Sequence, residues 1–190
     1  MPSRTAWVHA SGLRKRVATG IIGAMLKIDA THEVTAITRD SILNMLHSIG
    51  FGVLATESAG QPHTSLIAIT PVKNGQGLLF ATYRNTRKFN NLAHNKRVSV
   101  LMDGRSRVGL CSAPTCLVLS AVGRVQDIGD AAHPALLAAH LQHHPNLLAF
   151  TQAPDCVLLE VVIDAYQVVN DIDDVSWWRA QDLSAPAQIR

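Results

Sequence analysis

Short apolar runs separated by turns occupy the middle of the chain, and their close spacing limits the possible folds more than any other feature. Such runs cover residues 51–56, 62–72 and 78–83. The turn at 73–77 reads Lys-Asn-Gly-Gln-Gly, which is typical of a β-hairpin. Short helical patterns are interleaved with these runs. We therefore predict a mainly β protein built as a small antiparallel barrel, not as a parallel α/β sheet.

The remaining elements follow the same pattern of short strands and helices. Further strands are predicted over residues 97–102, 116–128 and 156–169, and helices over 38–50, 86–94 and 131–149. Gly123 lies inside the long strand and indicates a bend or a close approach of another backbone. Pro145 interrupts the third helix.

The length and hydrophobic content of the chain suit a single core. With 190 residues, of which 47% are hydrophobic, the chain can form one sizeable domain. We predict an N-terminal extension over residues 1–36, a folded domain over 37–170 and a C-terminal tail over 171–190. The basic triplet at 14–16 and the apolar run at 17–26 resemble parts of a signal peptide, but the run is short and no convincing cleavage site follows. A flexible or helical extension is therefore favoured.

Positive charge is unevenly distributed along the chain. The formal net charge is +3, but residues 1–28 contain five basic residues and no acidic one, which leaves 12 basic against 14 acidic residues in the rest. Seven of those 12 are opposed only by Asp103 within one window: Arg84, Arg87, Lys88, Lys96, Arg97, Arg105 and Arg107. Such a cluster suits a small anionic ligand better than a long polyanion. The aromatic content of 5% also argues against a surface that stacks nucleic-acid bases.

The residues Thr86, Arg87 and Lys88 stand where the predicted helix 86–94 begins. The first turn of a helix has backbone N–H groups without partners and the positive end of the helix dipole, which together favour an anion. Arginine can bind two oxygens of a phosphate at once, and lysine adds a point charge. These three residues therefore form a candidate phosphate site.

Several motifs, taken in their order along the chain, resemble those of one family. They are Gly60-Gln61-Pro62, Phe80-Ala81-Thr82, Thr86-Arg87-Lys88, Asn95-Lys96-Arg97-Val98-Ser99-Val100 and Gly123-Arg124-Val125. Between Ile37 and Val169 the sequence resembles the pyridoxamine 5'-phosphate oxidase-like family of FMN-binding split barrels. The resemblance implies a six-stranded antiparallel split β-barrel of Greek-key topology with short flanking helices. It also implies a homodimer with two FMN sites in the clefts between subunits.

The resemblance assigns a set of residues to the cofactor. They are Ser65, Ala81, Thr82, Tyr83, Thr86, Arg87 and Lys88. Residues 86–88 are expected to bind the FMN phosphate, and residues 81–83 to lie beside the flavin ring. Ser65 stands where the oxidase members carry an arginine that helps to hold FMN, and Thr70 stands where they carry a lysine. Both departures remove positive charge from the site.

The C-terminal sequence departs further from the oxidases of the family. Those enzymes close with an Arg-Leu-His-Asp-Arg-type motif that binds the vitamin substrate, whereas residues 175–179 here read Val-Ser-Trp-Trp-Arg. Vitamin B6 synthesis is therefore not predicted. Two roles stay open for Trp177 and Trp178, which could cap the flavin ring across a dimer or anchor the tail to the barrel.

A flavin supplies hydride chemistry itself, so the protein need not provide a nucleophile, base and acid, and no catalytic residue is assigned. We expect an FMN-dependent oxidoreductase that acts on an unidentified small molecule. NAD(P)H is a candidate electron donor, although no Gly-x-Gly-x-x-Gly fingerprint is present. Three alternatives stay open: a deazaflavin in place of FMN, a protein that carries flavin or haem without turnover, and a barrel that binds nucleic acid through residues 84–107.

Histidines and cysteines add weaker signals. His140, His143 and His144 cluster near His133, but no third ligand type accompanies them, so we predict a solvated helix surface and no metal site. The three cysteines are odd in number and lack a Cys-x-x-Cys pair, which indicates a reducing compartment and a cytoplasmic protein. No apolar run is long enough to span a bilayer, so no membrane partner is expected.

Overall fold

Eight strands and four short α-helices form the part of the chain that the computed structural model describes, which comprises residues 36–104, 117–129, 132–171 and 174–184. The strands are β1 (Phe51–Ser58), β2 (Gln61–Ala68), β3 (Thr70–Val72), β4 (Gly77–Tyr83), β5 (Arg97–Asp103), β6 (Val118–Asp127), β7 (Cys156–Asp171) and β8 (Asp174–Arg179). The helices are α1 (Ala36–Ser48), α2 (Arg87–His94), α3 (His133–His143) and α4 (Leu148–Thr151). None of the helices in the described ranges is long and apolar enough to cross a membrane. The predicted N-terminal extension, apart from Ala36, lies outside the described residues, as do Arg105 and Arg107.

The strands form one curled antiparallel sheet. Hydrogen bonds join them in the order β2-β1-β5-β6-β7-β4-β3, and β8 also pairs with β7. β2 and β3 lie at the two ends of this order, yet Ile69 alone separates them in the chain. The sheet must therefore curl until its ends meet. The predicted fold class, an antiparallel split barrel with short flanking helices, is confirmed.

The run over residues 62–72, predicted as one strand, is divided at Ile69. The Ile69 N–H donates to the carbonyl of Gly50 (2.9 Å), and the Ile69 carbonyl accepts from Nε2 of His144 (2.8 Å). The bond to Gly50 extends the β1–β2 register by one residue, but the His144 ring takes the Ile69 carbonyl, so pairing with β1 ends here and the chain next pairs with β4. When β2 and β3 are counted together, the curled path has the six predicted strands, and β8 is an addition.

The C-terminal residues extend the sheet along β7. One edge of β7 pairs with β6 over most of the length of β7. On the other edge, β4 pairs with residues 156–162 and β8 pairs with residues 165–171. Trp178 of β8 and Leu183 just beyond it are buried in the core. The predicted tail therefore contains a strand, and Trp178 anchors it to the barrel. Trp177, which alternates with Trp178 along the strand, lies on the opposite face and is half-buried.

Inward-facing side chains fill the barrel, and two helices cover its ends. α1 leads into the start of β1 and buries Ile42, whereas Asn91 of α2 donates to the hydroxyl of Thr56 near the end of β1 (3.0 Å). The two helices thus lie at opposite ends of the barrel. The Tyr166 hydroxyl donates to the carbonyl of Gly75 (2.6 Å), and burial raises the pKa of this phenol.

Gly123 marks a close approach between β6 and β7, as predicted. The pairing register shifts between Val122 and Gly123. A Cβ atom at residue 123 would lie 2.0 Å from the carbonyl oxygen of Val162. Glycine is therefore needed for the two strands to pair at this point.

The predicted hairpin turn between β3 and β4 forms with an unusual backbone. Lys73, Asn74 and Gly75 all have positive φ, of 52°, 53° and 81°, which is unfavourable for a lysine. The Lys73 ammonium lies 2.6 Å from Oε1 of Glu160, a carboxylate of β7 that is 2% exposed. Gln126 donates to the other carboxylate oxygen (3.0 Å). These bonds tie the turn to β7 and offset its strain.

The prediction that the histidines of the third helix lie on a solvated surface is wrong for two of them. His140 has no exposed surface and His144 is 5% exposed, whereas His143 is exposed. The reason is that α3 packs against β3, where Nδ1 of His140 lies 2.9 Å from the hydroxyl of Thr70. The second buried ring bonds to the Ile69 carbonyl. Polar partners on the barrel therefore allow these rings to be buried.

Leu54 lies on the inner face of β1 with no exposed surface, so truncating it leaves a cavity. We expect Leu54→Ala to lower the free energy of unfolding by about 2–5 kcal/mol. Leu148→Ala is the control: Leu148 is 51% exposed. For it we expect a loss below about 1 kcal/mol. Equilibrium unfolding in urea measures both, and equal losses in the two variants would contradict this placement of the core.

Candidate functional site

Helix α2 begins at a threonine cap. Thr86 has an extended backbone (φ −90°, ψ 152°), and its hydroxyl oxygen accepts from the N–H of Phe89 (3.4 Å). The Thr86 hydroxyl donates its proton to the carbonyl of Tyr83 (2.9 Å). The Thr82 hydroxyl lies 3.1 Å from the Thr86 hydroxyl and is therefore the donor in the hydrogen bond between them. The hydroxyl of Thr86, a predicted phosphate ligand, therefore holds the start of the helix.

Two cations follow the cap at the positive end of the helix dipole. Arg87 is exposed and Lys88 is half-buried, and burial lowers the pKa of the Lys88 ammonium. Neither of the two ion pairs found among the described residues involves Arg87 or Lys88. A third cation lies beside the same turn, since the guanidinium of Arg84 is 5.6 Å from the ring centre of Phe89. An anion bound here would offset the cost of burying positive charge.

Strand β4 leads into this helix and has one edge that is only partly paired. Residues 77–83 pair with β7 on one side, whereas β3 covers only residues 77–79 on the other. Among the described residues no strand pairs with the second edge of 80–83, although β2 lies close to β4. This gap between β2 and β4 is the split in the barrel. Backbone N–H and C=O groups along such an edge can bond the polar edge of a planar ring.

The predicted ring-binding residues of β4 face in two directions. Thr82 points into the barrel and is 1% exposed, whereas Ala81 and Tyr83 lie on the outer face and are half-buried. The Tyr83 ring packs against Phe150 of α4, with centroids 4.3 Å apart. Helix α4 therefore covers the outer side of this segment.

A polar network that the sequence pattern does not reveal lies near the split. The Ser65 hydroxyl is 3.2 Å from Nε2 of His63, and the Thr56 hydroxyl donates to the His63 carbonyl (3.3 Å). Asn91 of α2, which is 6% exposed, donates to Thr56 in turn. Ser65 pairs with the buried Leu54, so it belongs to the inner face of β2. Because alternate residues of a strand lie on one face, the sequence pattern places His63 on the same face as Ser65. Nothing in the sequence pattern indicates Asn91.

The structure places the predicted cofactor residues in two groups. Residues 81–83 and 86–88 form one continuous segment held by the Thr82–Thr86 hydrogen bond, and Ser65 lies across the split on β2. Within the described ranges, no three histidine, cysteine, aspartate or glutamate side chains could hold a metal ion. Cations at a helix start beside a partly unpaired strand edge fit a ligand that joins a phosphate to a planar polar ring, which is the chemistry of FMN.

Comparison with known families agrees with this geometry. The protein-family model for pyridoxamine 5'-phosphate oxidase matches residues 38–170, which include every candidate cofactor residue. The chain belongs to the pyridoxamine 5'-phosphate oxidase-like family. A search of curated protein sequences found no match.

Solved structures share the family fold at low sequence identity. A heme binding protein from Mycobacterium smegmatis is similar with a TM-score of 0.66 and 17% identity, over 76% of this chain and 59% of its own. General Stress Protein 26 from Bacillus anthracis gives a TM-score of 0.56 and 20% identity, over 75% and 98%. A FAD-binding protein from Mesorhizobium loti gives 0.54 and 16%, over 70% and 92%. The chain thus spans 59% of the mycobacterial protein and nearly all of the other two.

Thr86→Ala removes the side chain that caps α2, whereas Thr86→Ser keeps the hydroxyl. We expect Thr86→Ala to lower the free energy of unfolding by about 1 kcal/mol and Thr86→Ser to retain most of the stability. Urea unfolding of the two variants and the wild type measures the difference. Wild-type stability in Thr86→Ala would show that the hydroxyl does not hold the helix.

Proposed function

We propose that the protein is an FMN-dependent oxidoreductase acting on a small molecule, with the flavin held between the two subunits of a homodimer. The observation that carries the proposal is the pair Arg87 and Lys88 at the start of α2, without a carboxylate partner among the described residues. Membership of the pyridoxamine 5'-phosphate oxidase-like family supports it. So does the FAD-binding protein that shares the fold.

In this proposal the first turn of α2 binds the phosphate of FMN. Arg87 bonds two phosphate oxygens, and Lys88 contributes a point charge. The half-buried position of Lys88 strengthens the attraction, because charges interact more strongly where water is partly excluded. Thr86 acts indirectly, since its hydroxyl holds the helix start from which the first N–H groups reach the phosphate.

The residues that would hold the flavin ring line the split between β2 and β4. They are the backbone of residues 81–83 and the hydroxyl of Ser65, while the hydroxyl of Thr82 supports the helix cap instead. Bound flavin supplies the hydride transfer, and the side chains of this protein bind and orient it. An electron donor such as NAD(P)H would then bind transiently against the ring.

A protein that carries flavin or haem without turnover is the second candidate, because a heme binding protein shares the fold. The absorbance spectrum of the purified protein, dialysed after addition of FMN, separates the candidates. Retained flavin bands that bleach with NAD(P)H support the oxidoreductase, and flavin bands that no donor bleaches support a carrier. A Soret band supports haem carriage. Protein that retains no FMN contradicts the proposal and leaves a deazaflavin as the next cofactor to test.

FMN and riboflavin differ by the phosphate, so their relative affinities isolate the phosphate site. We expect Arg87→Ala with Lys88→Ala to weaken FMN binding by about 100-fold or more, since each charge-assisted hydrogen bond contributes about 1.5–3 kcal/mol. Riboflavin binding should change little. Quenching of flavin fluorescence measures both affinities.

The matched control for this experiment removes two exposed cations elsewhere, Arg124→Ala with Arg179→Ala, and should leave both affinities unchanged. An unchanged affinity for FMN in the Arg87 and Lys88 double variant would overturn the phosphate assignment. Equal losses of FMN and riboflavin would indicate damage to the fold instead of loss of phosphate contacts.

An exposed apolar surface on β2, β1 and β5 supports the homodimer. Val53 pairs with Leu66 on one side and with Leu101 on the other, so the three form one row across the outer face. Leu66 is 70% exposed and Leu101 is 43% exposed, and Phe51, on the same face, is 56% exposed. A patch of large exposed apolar side chains is typical of a protein interface. A second copy of the chain, as the family implies, would cover it.

Leu66→Lys with Leu101→Lys places two charges in this row, and we expect it to convert the dimer to a monomer. Sedimentation velocity measures the change. The control is Leu148→Lys, because Leu148 is 51% exposed but lies on α4. FMN binding should fall together with dimerisation if both subunits form the site. A monomeric wild type would contradict the homodimer, and a dimeric double variant would place the interface elsewhere.

We also propose a cytoplasmic location. The odd number of cysteines and the lack of a Cys-x-x-Cys pair suit a reducing compartment. Cys156, the cysteine within the described ranges, is a free thiol, and burial raises its pKa. This thiol is therefore in its unreactive protonated form at neutral pH.

A further inference from the structure

The segment from residue 132 to residue 154 has an unusual composition. It contains four histidines and no aspartate, glutamate, lysine or arginine. It forms α3, a short turn and α4, and these contact β3, β4 and β7. The segment is therefore nearly uncharged at neutral pH. It acquires only positive charge as histidines gain protons.

Two of the histidines hold this segment to the barrel. His140 lies with Nδ1 at 2.9 Å from the Thr70 hydroxyl, and His144 donates to the carbonyl of Ile69 at 2.8 Å. The ring of His144 also packs 5.8 Å from the ring of Phe51. Nε2 of His140 is buried and has no hydrogen-bond partner in the described part of the structure. In the charged form both ring nitrogens carry protons, so the Nε2 proton would have no acceptor in the described part of the structure.

In the described part of the structure no carboxylate bonds to either of the two buried rings. The titratable and charged groups of the neighbouring elements are Arg39, Asp40 and His47 of α1, Glu57 of β1, His133 and His143 of α3, Lys73 after β3, Tyr83 and Arg84 of β4 and its turn, and Asp155, Cys156, Glu160, Asp164, Tyr166 and Asp171 at β7. Glu160 is already bonded to Lys73 and Gln126. The ring centres of His140 and His144 are 5.1 Å apart, and the nearby His144 disfavours a positive charge on His140.

The acid–base properties of the cluster agree with this geometry. Burial, followed by repulsion from His144 and His143, lowers the pKa of His140 from 6.5 to about 4. Partial desolvation, followed by repulsion from His144, also lowers the pKa of His143, although this side chain is largely exposed. The attached form binds a proton more weakly than a detached, solvated form would. The attachment is therefore fully stable above about pH 6.5 and weakens as the pH falls toward about 4.

We propose that the segment from α3 to α4 is an acid-released cover on the barrel, held in place while His140 is uncharged. Release would expose the outer side of β3 and β4, including Leu79 and the Tyr83 ring, which are now packed beneath it. Because β4 leads into α2, the cover borders the candidate cofactor site. The proposal nevertheless does not depend on which cofactor the protein binds.

Hydrogen exchange followed by mass spectrometry tests the proposal on the cofactor-free protein. Exchange is measured at pH 7 and pH 5 and normalised to the intrinsic rate at each pH. Amides of α3 and α4 should open about 20-fold more often at pH 5 than at pH 7. This factor follows from the pKa of His140, which is 6.5 in the detached form and about 4 in the attached form. Amides of β5 and β6 should change by less than about 2-fold, because they lie outside the cover.

His140→Asn separates protonation from packing, since asparagine can keep the bond to Thr70 but does not titrate. In this variant we expect the exchange of α3 and α4 at pH 5 to exceed that at pH 7 by about 3-fold or less. A change in stability at pH 7 does not affect this test, because the ratio of the two exchange rates is compared. His133→Asn, at the start of α3, is the control and should retain the wild-type response. Equal normalised exchange at the two pH values in the wild type would overturn the proposal. Acceleration shared equally by β5 and β6 would also overturn it, since that indicates global unfolding.

Discussion

The hydrogen bonds of Ile69 close the barrel, and much of the remaining structure depends on that closure. Its N–H makes the last bond in the β1–β2 register, to Gly50, and its carbonyl bonds to His144 instead, so the ladder with β1 ends here. The chain then pairs with β4, which brings the two ends of the sheet order together. A buried backbone group must find a partner, and these two partners come from the α1–β1 junction and from the end of α3. The same residue, Ile69, therefore marks the change of strand partner and attaches the end of α3 to the barrel.

Closure of the barrel brings β2 and β3 next to β4. The candidate site lies where β2 and β4 separate again. β4 is paired with β3 only at its start, so its later residues border a gap with β2 on the far side. One side of that gap continues directly into the cap of α2 and its cations, Arg87 and Lys88. The other side carries Ser65 and His63. A local segment thus supplies the charge for a phosphate, and the closure of the sheet supplies the second wall.

Buried polar groups mark the points at which helices and turns attach to the barrel. Asn91 joins α2 to β1, and Glu160 joins the β3–β4 turn to β7. His140 joins α3 to β3 in the same way. An apolar side chain at these positions would remove the bond that joins the helix or turn to the barrel. Among these three joints the histidine differs, because Nε2 of its positive form has no acceptor among the described residues, and this makes the attachment of α3 sensitive to acid.

The sequence by itself determined the antiparallel class, the hairpin at 73–77, the need for glycine at Gly123 and the cationic helix start. Each of these features depends on neighbouring residues or on strand alternation, and both can be read from the local sequence pattern. Only the tertiary structure decided the division at Ile69, the strand β8 and the burial of His140 and His144. Those features depend on partners far along the chain, such as the hydrogen bond between residues 69 and 144, which lie 75 positions apart. A histidine on a helix looks the same in sequence whether it faces water or a backbone carbonyl, and only the fold supplies the carbonyl.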